Sequence, residues 1–198
     1  MNKNFMITIS AIGIVAISCF WIVKNLNINP YHEVGEPIDS LNQVTVFYNG
    51  GVNHVLERNL TEDGYNLGLK YQCVEFVKRY YYEHLNHKMP DSYGHAKDFF
   101  NEKIKDGALN PARYLTQFTN PSSSRPQMND LIIFKGHWLN RYGHVAIISK
   151  VAEDHIEIIQ QNPGPFQPSR EIIELKVIDK ENWEVQDKKV IGWLRKTD

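Results

Sequence analysis

Two residues stand out for the chemistry that their types and settings allow. Cys73 lies where Gly68-Leu69-Lys70-Tyr71-Gln72 meets a helical pattern, and His144 opens the apolar run His144-Val145-Ala146-Ile147-Ile148. A thiol attacks as its thiolate, and a helix N-terminus with a nearby imidazolium lowers its pKa from about 8.5. The same helix end offers N–H groups to a developing oxyanion, with Cys73 N–H as first donor and the Gln72 side chain as second. An imidazole held at the first position of a strand is placed to act as a general base. Its other ring nitrogen then needs an orienting partner, and Gln160, Gln161 and Asn162 follow the run Ile156 to Ile159, which pairs naturally with the His144 run. Gln160 is the chosen partner. Asn162, His137 and Trp138 are assigned to the substrate side, the last two as an aromatic wall. Taken singly, each residue also fits a plain reading: a small buried thiol, a satisfied core histidine, a polar turn before Pro163-Gly164-Pro165.

The cysteine count sharpens the first candidate. Only Cys19 and Cys73 occur, and Cys19 falls in the run Phe5 to Val23, which carries no charge. Cys73 is therefore the single thiol of the folded part, with no partner in it. The apolar run would measure about 28 Å as a helix, with Lys3 before it and Lys24 after it. Residues 1–24 are thus expected to be a bacterial inner-membrane anchor that leaves the domain exported, or secreted if the segment is cleaved. Ala16-Ile17-Ser18-Cys19 is a weaker match to a lipidation site.

The elements that must position the candidates follow from periodicity. Residues 25–40, with Pro30, Gly35 and Pro37, are expected to form a linker, and 41–198 the domain. Val44 to Tyr48 predicts a strand closed by Asn49-Gly50-Gly51. Val74, Val77, Tyr81 and Leu85 make one apolar stripe, predicting a helix from Cys73 to Met89-Pro90, followed by a second helix over His95 to Lys105. Asn110 to Gln127 is expected to be mostly loop. Leu131 to Phe134, Val145 to Ile148, Ile156 to Ile159 and Val190 to Leu194 predict antiparallel strands, giving an α+β domain. The 22 basic and 23 acidic residues leave no excess of positive charge for nucleic acid. His84 and His87 share a helix, yet the further ligands of a metal site are missing at matching spacing, so no metal and no cofactor are implied.

Tyr71-Gln72-Cys73-Val74-Glu75-Phe76, Asn129-Asp130-Leu131-Ile132 and Gly143-His144-Val145-Ala146-Ile147-Ile148 together resemble the CHAP family of cysteine, histidine-dependent amidohydrolases and peptidases. Gln161-Asn162 with Ile191-Gly192-Trp193 is especially similar to the amidase domain of glutathionylspermidine synthetase. The resemblance implies a papain-like (NlpC/P60-type) fold, with the cysteine helix packed on an antiparallel sheet that bears the histidine. It also implies amide hydrolysis through a thioester, with no cofactor. Where those relatives carry Glu to orient the histidine, this sequence has Gln160, which accepts the imidazole N–H but stabilises the imidazolium less. Peptidoglycan peptides are the expected substrate, favoured by an exported position, with a glutathione–polyamine amide, favoured by the resemblance, as the alternative. A silent binding domain is the alternative of another class.

Overall fold

The computed structural model describes residues 3–138, 140–179 and 181–197, with backbone alone for 3–9 and 11. Its centre is an eight-stranded sheet in the order β11-β10-β9-β8-β7-β12-β6-β5, antiparallel at every pairing. The strands are β5 (Ala108–Asn110), β6 (Leu115–Thr119), β7 (Leu131–Phe134), β8 (His144–Val151), β9 (His155–Ile159), β10 (Arg170–Ile178), β11 (Asn182–Val185) and β12 (Val190–Arg195). Two small hairpins, β1 (Pro37–Leu41) with β2 (Val44–Phe47) and β3 (Arg58–Leu60) with β4 (Asn66–Leu69), precede the helix α2 (Cys73–Glu83). The domain is α+β, as the run order predicts.

The central strands read as unbroken apolar runs because both of their faces are covered. Leu131, Ile133, Val145, Ile147 and Ile159 point to one face and pack with Phe76, Val77, Tyr80 and Tyr81 of α2. Ile132, Phe134, Ala146, Ile148, Ile158 and Trp193 fill the other. The alternation along each strand thus divides the core into two layers, and α2 lies against the layer from which Val145 projects.

Several expectations fail for tertiary reasons. The helix from Cys73 stops at Glu83, where His84 N–H makes the last helical bond to the Tyr80 carbonyl and Asn86, at φ 47°, turns the chain left-handed. The second expected helix is one short 3-10 turn, Ala96–Phe99, because Asn101 is drawn off to the side chain of Gln117. The expected loop contains β6, recruited by pairing with β12, and β10, the longest strand, falls in a stretch of alternating charged and apolar residues. The expected linker is docked: Pro37–Leu41 forms β1, and Asn29 donates to the Pro165 carbonyl at 2.7 Å.

The apolar N-terminal run does form a helix, α1 (Lys3–Asn25). Among the described residues, however, no helix is long and apolar enough to cross a membrane. The described apolar side chains run from Ile12 to Val23 and are broken by Ser18. That stretch covers about 18 Å of a hydrocarbon layer roughly 30 Å thick; the side chains of Phe5 to Ile9 and Ala11 lie outside the described residues. The expected anchor, with the inner-membrane and exported position that rested on it, is therefore corrected. The end of α1 is instead tied to the domain, with the Lys24 carbonyl accepting Asn53 N–H at 2.8 Å.

Candidate active site

Cys73 is the first residue of α2, reached from Tyr71 at φ 63° and Gln72 in extended conformation. Its half-buried sulfur accepts N–H groups from Val74 and, across from the sheet, Val145. His144 begins β8 directly after Gly143, which sits at φ 74° with the Phe134 carbonyl only 2.6 Å from where a Cβ would be. Cys73 and His144 line one cavity of about 620 Å³, with Arg58, Ser92, Tyr93, His95, Asp98 and Tyr142 on its walls. A second cavity of about 600 Å³ shares His144 as a lining residue and is also lined by Gln160, His137, Lys135, Lys189 and Glu171.

Gln160 follows the last residue of β9 and is buried, with its Oε1 2.9 Å from His144 Nε2. A carbonyl oxygen only accepts, so His144 donates from Nε2–H and Nδ1 keeps the lone pair a base needs. Gln72 and Asn162 form one unit: Asn162 Nδ2 donates to Gln72 Oε1 at 2.9 Å and to the Val52 carbonyl at 3.0 Å, and Gln72 Nε2 donates to the His54 carbonyl at 2.6 Å. Asn162 thus fixes the Gln72 amide, whose Nε2 keeps one N–H beyond its bond to the His54 carbonyl. His137 lines the second cavity, whereas Trp138 lines neither and is 87% exposed. His84 packs at a tilt against the Tyr80 ring, and buried His87 faces the Arg113 carbonyl.

Electrostatics correct one expectation. Burial pushes the Cys73 thiol up to about 11, outweighing the N–H groups of Val145, Val74 and Cys73 itself. Burial likewise pushes His144 down to about 4 against the opposing bond to Gln160. The helix N-terminus therefore does not produce a resting thiolate, because desolvation of the charged form is the larger effect. At neutral pH the pair rests as thiol and imidazole.

Sequence reasoning missed what clamps the two halves together. Gln161 is fully buried; its Nε2 donates to Glu75 Oε2 at 2.8 Å and to the Gln72 carbonyl at 3.0 Å, and its Oε1 accepts Phe47 N–H at 2.8 Å. Glu75 is also paired with Arg79 at 2.7 Å and accepts from Asn59 at 2.9 Å. Buried Lys78 donates to the Asn66 and Ser92 carbonyls, pinning the Ser92 loop of the cavity wall. The signal was present in Glu75 and Lys78, charged residues on the buried side of a short helix.

The comparisons agree with this architecture. The CHAP domain model matches residues 63–162. The trypanothione synthetase of Crithidia fasciculata is 32% identical over 106 residues, covering 54% of this chain and 16% of that protein. The bifunctional glutathionylspermidine synthetase/amidase of Escherichia coli (strain K12) is 30% identical over 157 residues, covering 71% of this chain and 24% of that protein. This chain thus spans less than a quarter of the length of either relative. The matched span holds Cys73, His144 and Gln160 within one α+β unit, and the chain belongs to the CHAP domain family.

Proposed function

We propose that this chain is a cysteine-dependent amide hydrolase of the papain-like kind, with Cys73 as nucleophile, His144 as general base and Gln160 as its orienting partner. The observation that carries the reading is the opening of Cys73 and His144 onto one cavity, with the His144 ring held by Gln160. Because the resting pair is neutral, proton transfer accompanies attack. Cys73 sulfur bonds to the amide carbonyl carbon as its proton passes to His144 Nδ1, and Cys73 N–H with the spare Gln72 N–H holds the oxyanion. His144 then gives the proton to the amine nitrogen, the C–N bond breaks, and a thioester remains on Cys73. Water, deprotonated by His144, attacks the thioester; the acid leaves and the thiol is restored.

The substrate favoured is an amide between a glutathione-type peptide and a polyamine. The similarity to a synthetase/amidase covers 71% of this chain, whereas the case for peptidoglycan peptides rested on an exported position that has lost its anchor. A non-hydrolytic binding domain is the second reading, favoured by the raised thiol and the neutral Gln160. Incubating the full chain and Cys73→Ala separately with glutathionylspermidine and with peptidoglycan fragments, with products read by mass spectrometry, separates the three. Cys73-dependent release of glutathione is expected. Release of wall peptides would move the substrate, and no product from either would support the binding domain.

A further inference from the structure

Gln160 raises a question that its bond to His144 does not answer: what keeps its amide the right way round. Flipped, it would offer N–H to His144 Nε2, the ring would carry its proton on Nδ1, and the base facing the cleft would be lost. The answer lies one strand further out. Gln160 N–H donates to the Ser169 carbonyl at 2.8 Å, which continues the β9–β10 register in which Arg170 pairs with Ile159 and Glu171 with Ile158. Residues 160, 169 and 171 therefore share one face, with Glu171 diagonal to Gln160. The amide nitrogen of Gln160 meets two acceptors there, the Pro168 carbonyl at 3.4 Å and Glu171 Oε2 at 3.5 Å.

We propose that Glu171 is a positioning residue for the proposed reaction: it holds Gln160 Nε2 outward, so that Oε1 faces His144 and fixes the Nε2–H tautomer. This rests on the reading of His144 as the base. The carboxylate also polarises the amide, returning to the imidazolium part of the stabilisation that a carboxylate at position 160 would give directly. Lys24, Lys135, Lys189 and Asp187 line the same cavity from α1, the end of β7 and the turn before β12. Of the charged groups on this wall, Glu171 is the one placed diagonally to Gln160 on β10, with its Oε2 facing the amide nitrogen.

The test reads the tautomer of His144 by long-range proton–nitrogen correlation on the full chain with nitrogen-15 histidine, assigned with His144→Gln. The wild type is expected to show protonated Nε2. Glu171→Gln retains an acceptor and is expected to keep that tautomer. Glu171→Lys sets a donor against the amide and is expected to populate the Nδ1–H form, with amide hydrolysis falling at least about tenfold. Exposure of Glu171 at the strand surface lets both variants fold. An unchanged tautomer in Glu171→Lys would overturn the proposal and leave the Pro168 carbonyl as the orienting group. The spectrum needs no turnover, so an inactive wild type with the expected tautomers would reject the hydrolase reading, and with it any role in the reaction, while leaving the orienting effect of Glu171 on Gln160 and His144 standing.

Discussion

Residue by residue, the site is governed by desolvation. A histidine held down to about 4 must be neutral to accept a proton. The proposed activity is therefore expected above that value and is expected to be lost as pH falls through it. The acid limb of kcat/KM is expected near pH 4, well below the ordinary histidine value of about 6.5. A limb near 6.5 in a pH–rate profile would show that the cavity is wetter than the packing implies. Gln160→Glu puts a carboxylate on the same ring nitrogen and is expected to move that limb up by about one pH unit or more. The same shift links to stability: the unfolded chain protonates His144 below about 6.5 while the folded chain does not. Stability is thus full above that value and falls toward pH 4. In urea unfolding, His144→Gln is expected to flatten this part of the stability profile.

At the scale of elements, two devices hold Cys73 and His144 together. The left-handed Gly143 brings the chain past the Phe134 carbonyl into β8, and Gly143→Ala would add both a strained φ and a Cβ at 2.6 Å from that oxygen. Loss of most activity is expected from this one methyl group, alongside destabilisation of about 2 kcal/mol or more in denaturant titration. The second device is the Glu75 clamp. Glu75→Ala strands the buried Arg79 and frees Gln161, and a loss of about 3 kcal/mol is expected by thermal or urea unfolding. The elements were legible where one periodicity dominated: the runs 131–134, 145–148, 156–159 and 190–194 all lie in strands, and Cys73 does begin a helix. Those set by partners were not. Gln117 is buried because it serves the backbone of Asn101, and β10 alternates Ile and Leu with charges, so neither stands out in a search for apolar runs.

For the whole molecule, the sheet is the rigid body on which the site rests. Its two faces are both apolar, α2 caps one of them, and the catalytic candidates gather where β8 begins, β9 ends and α2 starts. Motif spacing made Cys73 and His144 readable in advance, and strand pairing made Gln160 readable. The rest of the site was not, because it comes from segments far apart in the chain: the 50s loop through Val52 and His54, the 92–98 wall, and Glu171 across from Gln160. The apolar N-terminal run misled for a related reason, since its composition resembles a membrane segment while its last two turns line the second cavity through Phe20, Val23 and Lys24. The central claim is that an acyl group passes through Cys73, and the most direct measurement is the intact mass of the full chain quenched in acid during turnover of glutathionylspermidine. The account predicts an adduct with the mass of the glutathionyl acyl group, mapped to Cys73 by peptide digestion and absent from Cys73→Ala. Turnover without the adduct, persisting in Cys73→Ala, would contradict it.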